Sequence, residues 1–247
     1  MSVTTVRVVD LETTGSRPPA HGVCEIGWQD VTLESGGWQV TASRGSHLVD
    51  PGRAIPAVTQ AVHHIIDEDV VGAPRWAEIA PSVLRVHAVM AAHRASFEQR
   101  FCTPALSGGG RWICTWKCAL RLFPGSPSFS NQVLRYWRKP VGLDRDLGLP
   151  VHRAFPDAYV TAHHLRDMLG LASVDQLLAW SDLPGLLPRV PAGPERGRGW
   201  VELDDAMLAG FAGDRDEDVR YSAQTEQARR CGVPLAAAAS SQGQLFG

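Results

Sequence analysis

Val6-Arg7-Val8-Val9-Asp10-Leu11-Glu12-Thr13-Thr14-Gly15 is the stretch on which the fold turns. Its β-branched first half reads as a buried strand, and Gly15 closes it with a turn. Asp10 and Glu12 stand two apart at the end of that strand, so the two-residue strand period points both carboxylates to one sheet face. Two ionised carboxylates side by side repel unless a proton or cation joins them. Most Asp-x-Glu pairs are simply surface acids. One that ends a buried strand and leads into Thr-Thr-Gly is more specific, and it leaves room for an oxygen-ligated metal.

Working outward, residues 23–33 and 38–49 read as two more strands, joined through Glu34-Ser35-Gly36-Gly37, a hairpin signal. Three antiparallel strands therefore open the chain. Apolar spacing turns helical over 56–64 and 77–84, and the almost unbroken apolar run 86–92 then reads as a central strand. Helix-compatible spacing follows over 96–102, 115–123, 131–137 and 154–169, with a short strand over 112–114. Strands first and strand-helix alternation afterwards predict the α/β class, a mixed five-stranded sheet flanked by helices.

Composition changes near Leu171. Ser173 with Gln176 three residues on is a capping-box pattern for a helix over 173–181. Pro184, Pro188, Pro191 and Pro194 then break the chain, as a linker or a loosely structured subdomain. Two short helices are predicted over 204–210 and 216–230, and 236–247 is an Ala, Ser, Gln and Gly tail too poor in apolar surface to fold alone. The expected organisation is a main domain over 1–172, a small helical extension with a Pro-rich linker over 173–235, and a flexible tail over 236–247.

The 247 residues allow one full-sized domain plus an appendage, and 44% hydrophobic with 20% charged residues excludes wholesale disorder. With 24 Lys and Arg against 26 Asp and Glu, no global basic field exists to hold a polyanion, so a nucleic-acid partner must be gripped locally. All the basic residues but Lys117 and Lys139 are arginines, which favours forked phosphate contacts. No stretch approaches the roughly 20 apolar residues of a membrane span, so no membrane partner is expected and the setting is cytoplasmic. The five cysteines, Cys24, Cys102, Cys114, Cys118 and Cys231, lack zinc-knuckle spacing and read as reduced, mostly buried thiols.

The run Val8 to Gly15 resembles the first motif of the DEDDh 3′-to-5′ exonucleases. Ala92-His93-Arg94-Ala95-Ser96-Phe97-Glu98 resembles the second, and His152-Arg153-Ala154-Phe155-Pro156-Asp157-Ala158 the third. Between them, Ser46-His47-Leu48-Val49, Ala61-Val62-His63-His64-Ile65, Trp112-Ile113-Cys114-Thr115 and Arg121-Leu122-Phe123-Pro124-Gly125 look most like the exodeoxyribonuclease X branch of that family. The resemblance implies an RNase H-like fold and a two-metal 3′-to-5′ exonuclease that releases nucleoside monophosphates from 3′ ends of DNA, in repair or replication. It also implies two Mg²⁺ or Mn²⁺ ions, which neutralise charge on both the attacking and the leaving oxygen of a phosphodiester. Asp10 is expected to bridge both ions, Glu12 and Asp157 to complete the first site, and Glu98 to hold the second through water. His152 is expected to take the proton from the attacking water, a task that suits an imidazole of pKa about 6.5.

The backbone around Glu12, Thr13 and Thr14 is implied to meet the terminal nucleotide. Phe97 is read as a base-stacking residue or, favoured by its spacing to Phe101, a core residue. His63 matches a family histidine, with a structural hydrogen-bonding role as the alternative. The second motif departs from the family at Arg94, normally Asn, and Glu98, normally Asp. Placed four apart on a helix, Arg94 would pair with Glu98 and turn it from the second metal, weakening activity. The competing readings are a non-catalytic binder of nucleic-acid ends on the same fold, and an RNA exonuclease.

Residues 218–230 resemble the end of a small domain that follows some bacterial exonucleases; their arginines are either a solvated face or phosphate contacts. In the tail, Gln242, Leu245 and Phe246 match the Q-x-x-L-F form of peptides that dock into bacterial sliding clamps.

Overall fold

In the computed structural model, residues 3–232 are described; residues 236–247, with Gln242, Leu245 and Phe246, lie outside them. The described residues fall into two compact units, 3–118 with 126–181 and 119–125 with 182–232.

The first unit is built on a mixed five-stranded sheet in the order β3-β2-β1-β4-β5. Strand β1 (Thr5–Thr13) pairs antiparallel with β2 (Val23–Glu34), which pairs antiparallel with β3 (Gly37–Leu48). On its other side β1 runs parallel to β4 (Val89–Ala92), and β4 runs parallel to β5 (Arg111–Cys114). This is the α/β, RNase H-like architecture expected from the sequence.

Alternation along β1 assigns the two faces. Val6, Val8, Asp10 and Glu12 point one way, toward α7 (Ala154–Leu169), which lies across β1, β2 and β3. Arg7 points the other way and donates to the Val83 carbonyl of α2 (Trp76–Leu84). Arg7 also forks onto Asp30 of β2 at 2.7 and 2.8 Å, and both residues are buried. Burial pushes Asp30 up, but the Arg7 fork and the Ser43 hydroxyl outweigh it and leave this carboxyl below its usual value. Truncating either partner of such a pair costs about 3–5 kcal/mol, because a buried charge is left alone.

Two elements are shorter than expected. The apolar run 86–92 yields a strand only over Val89–Ala92, where β1 and β5 flank it; Val86 is exposed. The helix expected over 96–102 is reduced to α3 (Glu98–Phe101), because Arg94 takes a left-handed φ of 67° and its carbonyl accepts from the Phe97 N–H, closing a turn first. A second short helix, α4 (Pro104–Ser107), follows and was not expected. The other helices of this unit are α1 (Ala57–His63), α6 (Asn131–Arg138) and α8 (Val174–Asp182). Ser173 caps α8 by accepting the Gln176 N–H. The division between the units falls within α5 (Thr115–Leu122).

The second unit packs around Trp200, which is buried among Val190, Leu203, Leu208, Val219 and Ala223. The Trp200 indole donates to the Leu187 carbonyl and meets Phe211 edge-on at 5.5 Å. Its helices α9 (Asp205–Phe211) and α10 (Glu217–Arg230) are capped by Asp204 and Asp216. Arg229 and Arg230 grip Glu226, and Arg230 also pairs with Asp205, so these two arginines hold the unit itself.

Candidate active site

Three separate pieces of the chain bring acids together at the carboxyl end of β1. That strand supplies Asp10 and Glu12 from one face, as the two-residue spacing requires. The first turn of α7 supplies Asp157, because β2 carries Gly27 where the helix lands. A Cβ on Gly27 would sit 2.2 Å from the backbone of Ala154 and Phe155. Since Gly27 is the register partner of Asp10, this close approach brings the helix start beside the acidic strand end. Ligand atoms of Asp10, Glu12 and Asp157 come within 4.8 Å of one another.

Glu98, the first residue of α3, is not one of the three converging acids, but its charge reaches Asp10. It is 3% exposed, and its Oε2 has no hydrogen-bond partner. The pairing expected between Arg94 and Glu98 is not formed: the left-handed turn takes the two residues off a common helix, and the exposed Arg94 guanidinium lies 4.1 Å over the Trp116 ring.

The electrostatics follow from this crowding. Burial, then Glu12, Asp157, Glu98 and Glu25, pushes the Asp10 carboxyl well above its usual value. Burial and the charges of Asp157 and Glu25 lift Glu12 to about 8, against the pull of Arg153. Glu98 is lifted to about 8 by burial and by Glu12. Burial also raises Asp157, although its oxygens accept from the His152 N–H at 2.7 Å and the Gln132 amide at 2.8 Å. Such a cluster takes up protons or a hard cation. An all-oxygen donor set with an orphaned buried oxygen fits a divalent ion of the magnesium type.

His152 is exposed on the loop before α7, at a left-handed φ of 59°, and its own N–H is the donor to Asp157. Thr13 and Thr14 follow a register shift after Glu12. The Thr13 hydroxyl donates to the Gly15 carbonyl and that of Thr14 accepts the Gly22 N–H, so both side chains are used in closing the turn. His63 is 1% exposed, accepts the Ile65 N–H at Nδ1 and faces the Cys24 thiol. Burial lowers its pKa against the pull of the Thr13 carbonyl. Phe97 is half-buried and packs on Phe101 at 5.6 Å.

Two residues beside the acids escaped sequence reasoning. Gln132 of α6 holds Asp157 in place. Glu25 of β2, the register partner of Glu12, is 3% exposed and takes the Arg153 guanidinium on both oxygens at 2.9 and 2.8 Å. The one available signal was an acid inside the otherwise apolar run Val23-Cys24-Glu25-Ile26.

The chain that carries these acids is similar to known proteins. The RNase T family model, described as "Exonuclease", matches residues 8–107. Exodeoxyribonuclease 10 of Escherichia coli K12 is 33% identical over 195 residues, covering 78% of this chain and 82% of that protein. The DNA polymerase III subunit epsilon of Treponema pallidum is 31% identical over 176 residues, covering 64% and 76%. Among solved structures, "Exonuclease X in complex with 5′ overhanging duplex DNA" superposes with a TM-score of 0.60 at 32% identity, covering 71% of this chain and 99% of that one.

Proposed function

Because this chain belongs to the 3′-to-5′ exonuclease family that includes exodeoxyribonuclease X, we propose that the acids at the end of β1 hydrolyse the last phosphodiester of a DNA 3′ end. It is a 3′-to-5′ exodeoxyribonuclease. The observation that carries the site assignment is the convergence of Asp10, Glu12 and Asp157 to within 4.8 Å from positions far apart in the chain.

Asp10, Glu12 and Asp157 would hold one Mg²⁺ or Mn²⁺, and Asp10 with Glu98 a second. Such ions neutralise charge at the phosphodiester and lower the pKa of the attacking water. Glu98 reaches one methylene further than the Asp usual in the family, and its unpartnered Oε2 supports a ligand role through water. His152 takes the water proton. Its backbone tie to Asp157 makes the base and one metal ligand move together. The backbone at Thr13 and Thr14 anchors the terminal 3′-hydroxyl, propped by His63, and the open side of Phe97 is available to the terminal base. The nuclease work belongs to the domain expected over 1–172. Residues Gln242, Leu245 and Phe246 of the tail offer a clamp-docking peptide, and four buried free cysteines fit the reducing cytoplasm.

The test is degradation of end-labelled DNA and RNA duplexes and single strands, with free or blocked 3′ ends, with and without chelator. Monophosphate release from free DNA 3′ ends, abolished by chelator and by Asp10→Ala, is expected. Undiminished activity in Asp10→Ala overturns the site, and a preference for RNA overturns the substrate.

A further inference from the structure

We infer that Glu25 and Arg153 are positioning residues for the reaction, a half-buried clamp that sets where His152 stands. This rests on the reading of His152 as the base. Among the described residues no side-chain hydrogen bond holds the imidazole itself, so its place is set by the backbone beneath it. That backbone is tied at three successive residues. The His152 N–H donates to Asp157 Oδ2 at 2.7 Å. Arg153 forks onto both oxygens of Glu25, and the Ala154 N–H donates to Glu25 Oε2 at 3.0 Å.

The anchor has a fixed reference. Glu25 lies opposite Glu12 in the β1–β2 register, so the clamp measures the position of the histidine loop from the strand that carries the acids. It also secures a backbone that does not stay in place by default, since His152 holds a φ of 59° without being glycine. Glu25 is not one of the acids whose ligand atoms converge, and three donors already occupy its oxygens, so its contribution is geometric. Only a planar fork spans both oxygens at once. A lysine in place of Arg153 keeps the positive charge beside Glu12 and loses the two-point grip.

A double-mutant cycle on the full chain tests this, with steady-state kinetics on labelled duplex DNA in Mg²⁺ and thermal melts on every variant. Arg153→Lys is expected to lower kcat by about tenfold or more with KM changed by less than about twofold, since an imidazole displaced by about 1 Å is costly. In a His152→Ala background the same substitution is expected to change kcat by less than about twofold, because the group it positions is gone. Glu25→Gln is expected to show the same split between backgrounds. Equal losses in both backgrounds, or a change in KM alone, overturns the clamp and leaves the nuclease assignment standing. A His152→Ala variant with unaltered kcat overturns the base assignment and this inference with it.

Discussion

Glu12 and Glu98 hold their protons to about pH 8, when an unburied glutamate releases its proton near 4.5, because burial and neighbouring acids disfavour the charged form. Between those two values the folded chain binds more protons than the unfolded chain, so this pair makes stability fall as pH rises through the window. In chelator, the melting temperature of the wild type is expected to decline from about pH 5 to about pH 8 more steeply than that of Glu12→Gln. Added Mg²⁺ should restore more at the upper pH than at the lower, since there fewer protons compete for the oxygens. Parallel slopes for the two proteins would refute this origin of the effect. The same residues show what a sequence reveals at this scale. The proposed ligands Asp10 and Glu12 were legible because paired acids closing an apolar strand are unusual, and Asp157 only through the resemblance of 152–158 to a family motif. Glu25 and Gln132 were not, because each is defined by a partner distant in the chain, and no local spacing records such a pairing.

Gly27 is where an element depends on a missing atom. The start of α7 rests on β2 so closely that an alanine Cβ would meet backbone, which cannot swing aside as a side chain can. Gly27→Ala is expected to cost about 1–3 kcal/mol in denaturant unfolding. It should also cut kcat at unchanged DNA affinity, because α7 carries Asp157 away from Asp10. A variant as active and as stable as the wild type would show that the helix seats elsewhere. Elements with strong periodicity or clear caps were readable: α7 runs over Ala154–Leu169 as its spacing predicts, and the opening strands differ from expectation only at their ends. The misjudged elements share one cause, tertiary surroundings overriding local pattern. Val86 belongs to an apolar run but has no neighbouring strands to bury it, and the left-handed Arg94 turn shortens a segment whose composition suits a longer helix.

For the molecule as a whole, the proposed tail is the feature that would bring the enzyme to its substrate. A synthetic peptide of residues 236–247 is expected to bind a bacterial sliding clamp, and Leu245→Ala with Phe246→Ala to abolish that binding by loss of both apolar anchors. Equal binding by both peptides in a fluorescence-anisotropy titration would end the idea. The second unit has a core of its own around Trp200, which the prolines at 184–194 concealed in the sequence, because broken periodicity and an irregular but packed segment look alike there. The distance along the chain between β1 and α7 has a consequence for synthesis. A chain still on the ribosome, or cut short before Ala154, carries Asp10 and Glu12 with neither the third carboxylate nor the imidazole. On the proposed site, such a chain would lack two of the groups that cut, so cleavage would wait until translation has passed α7.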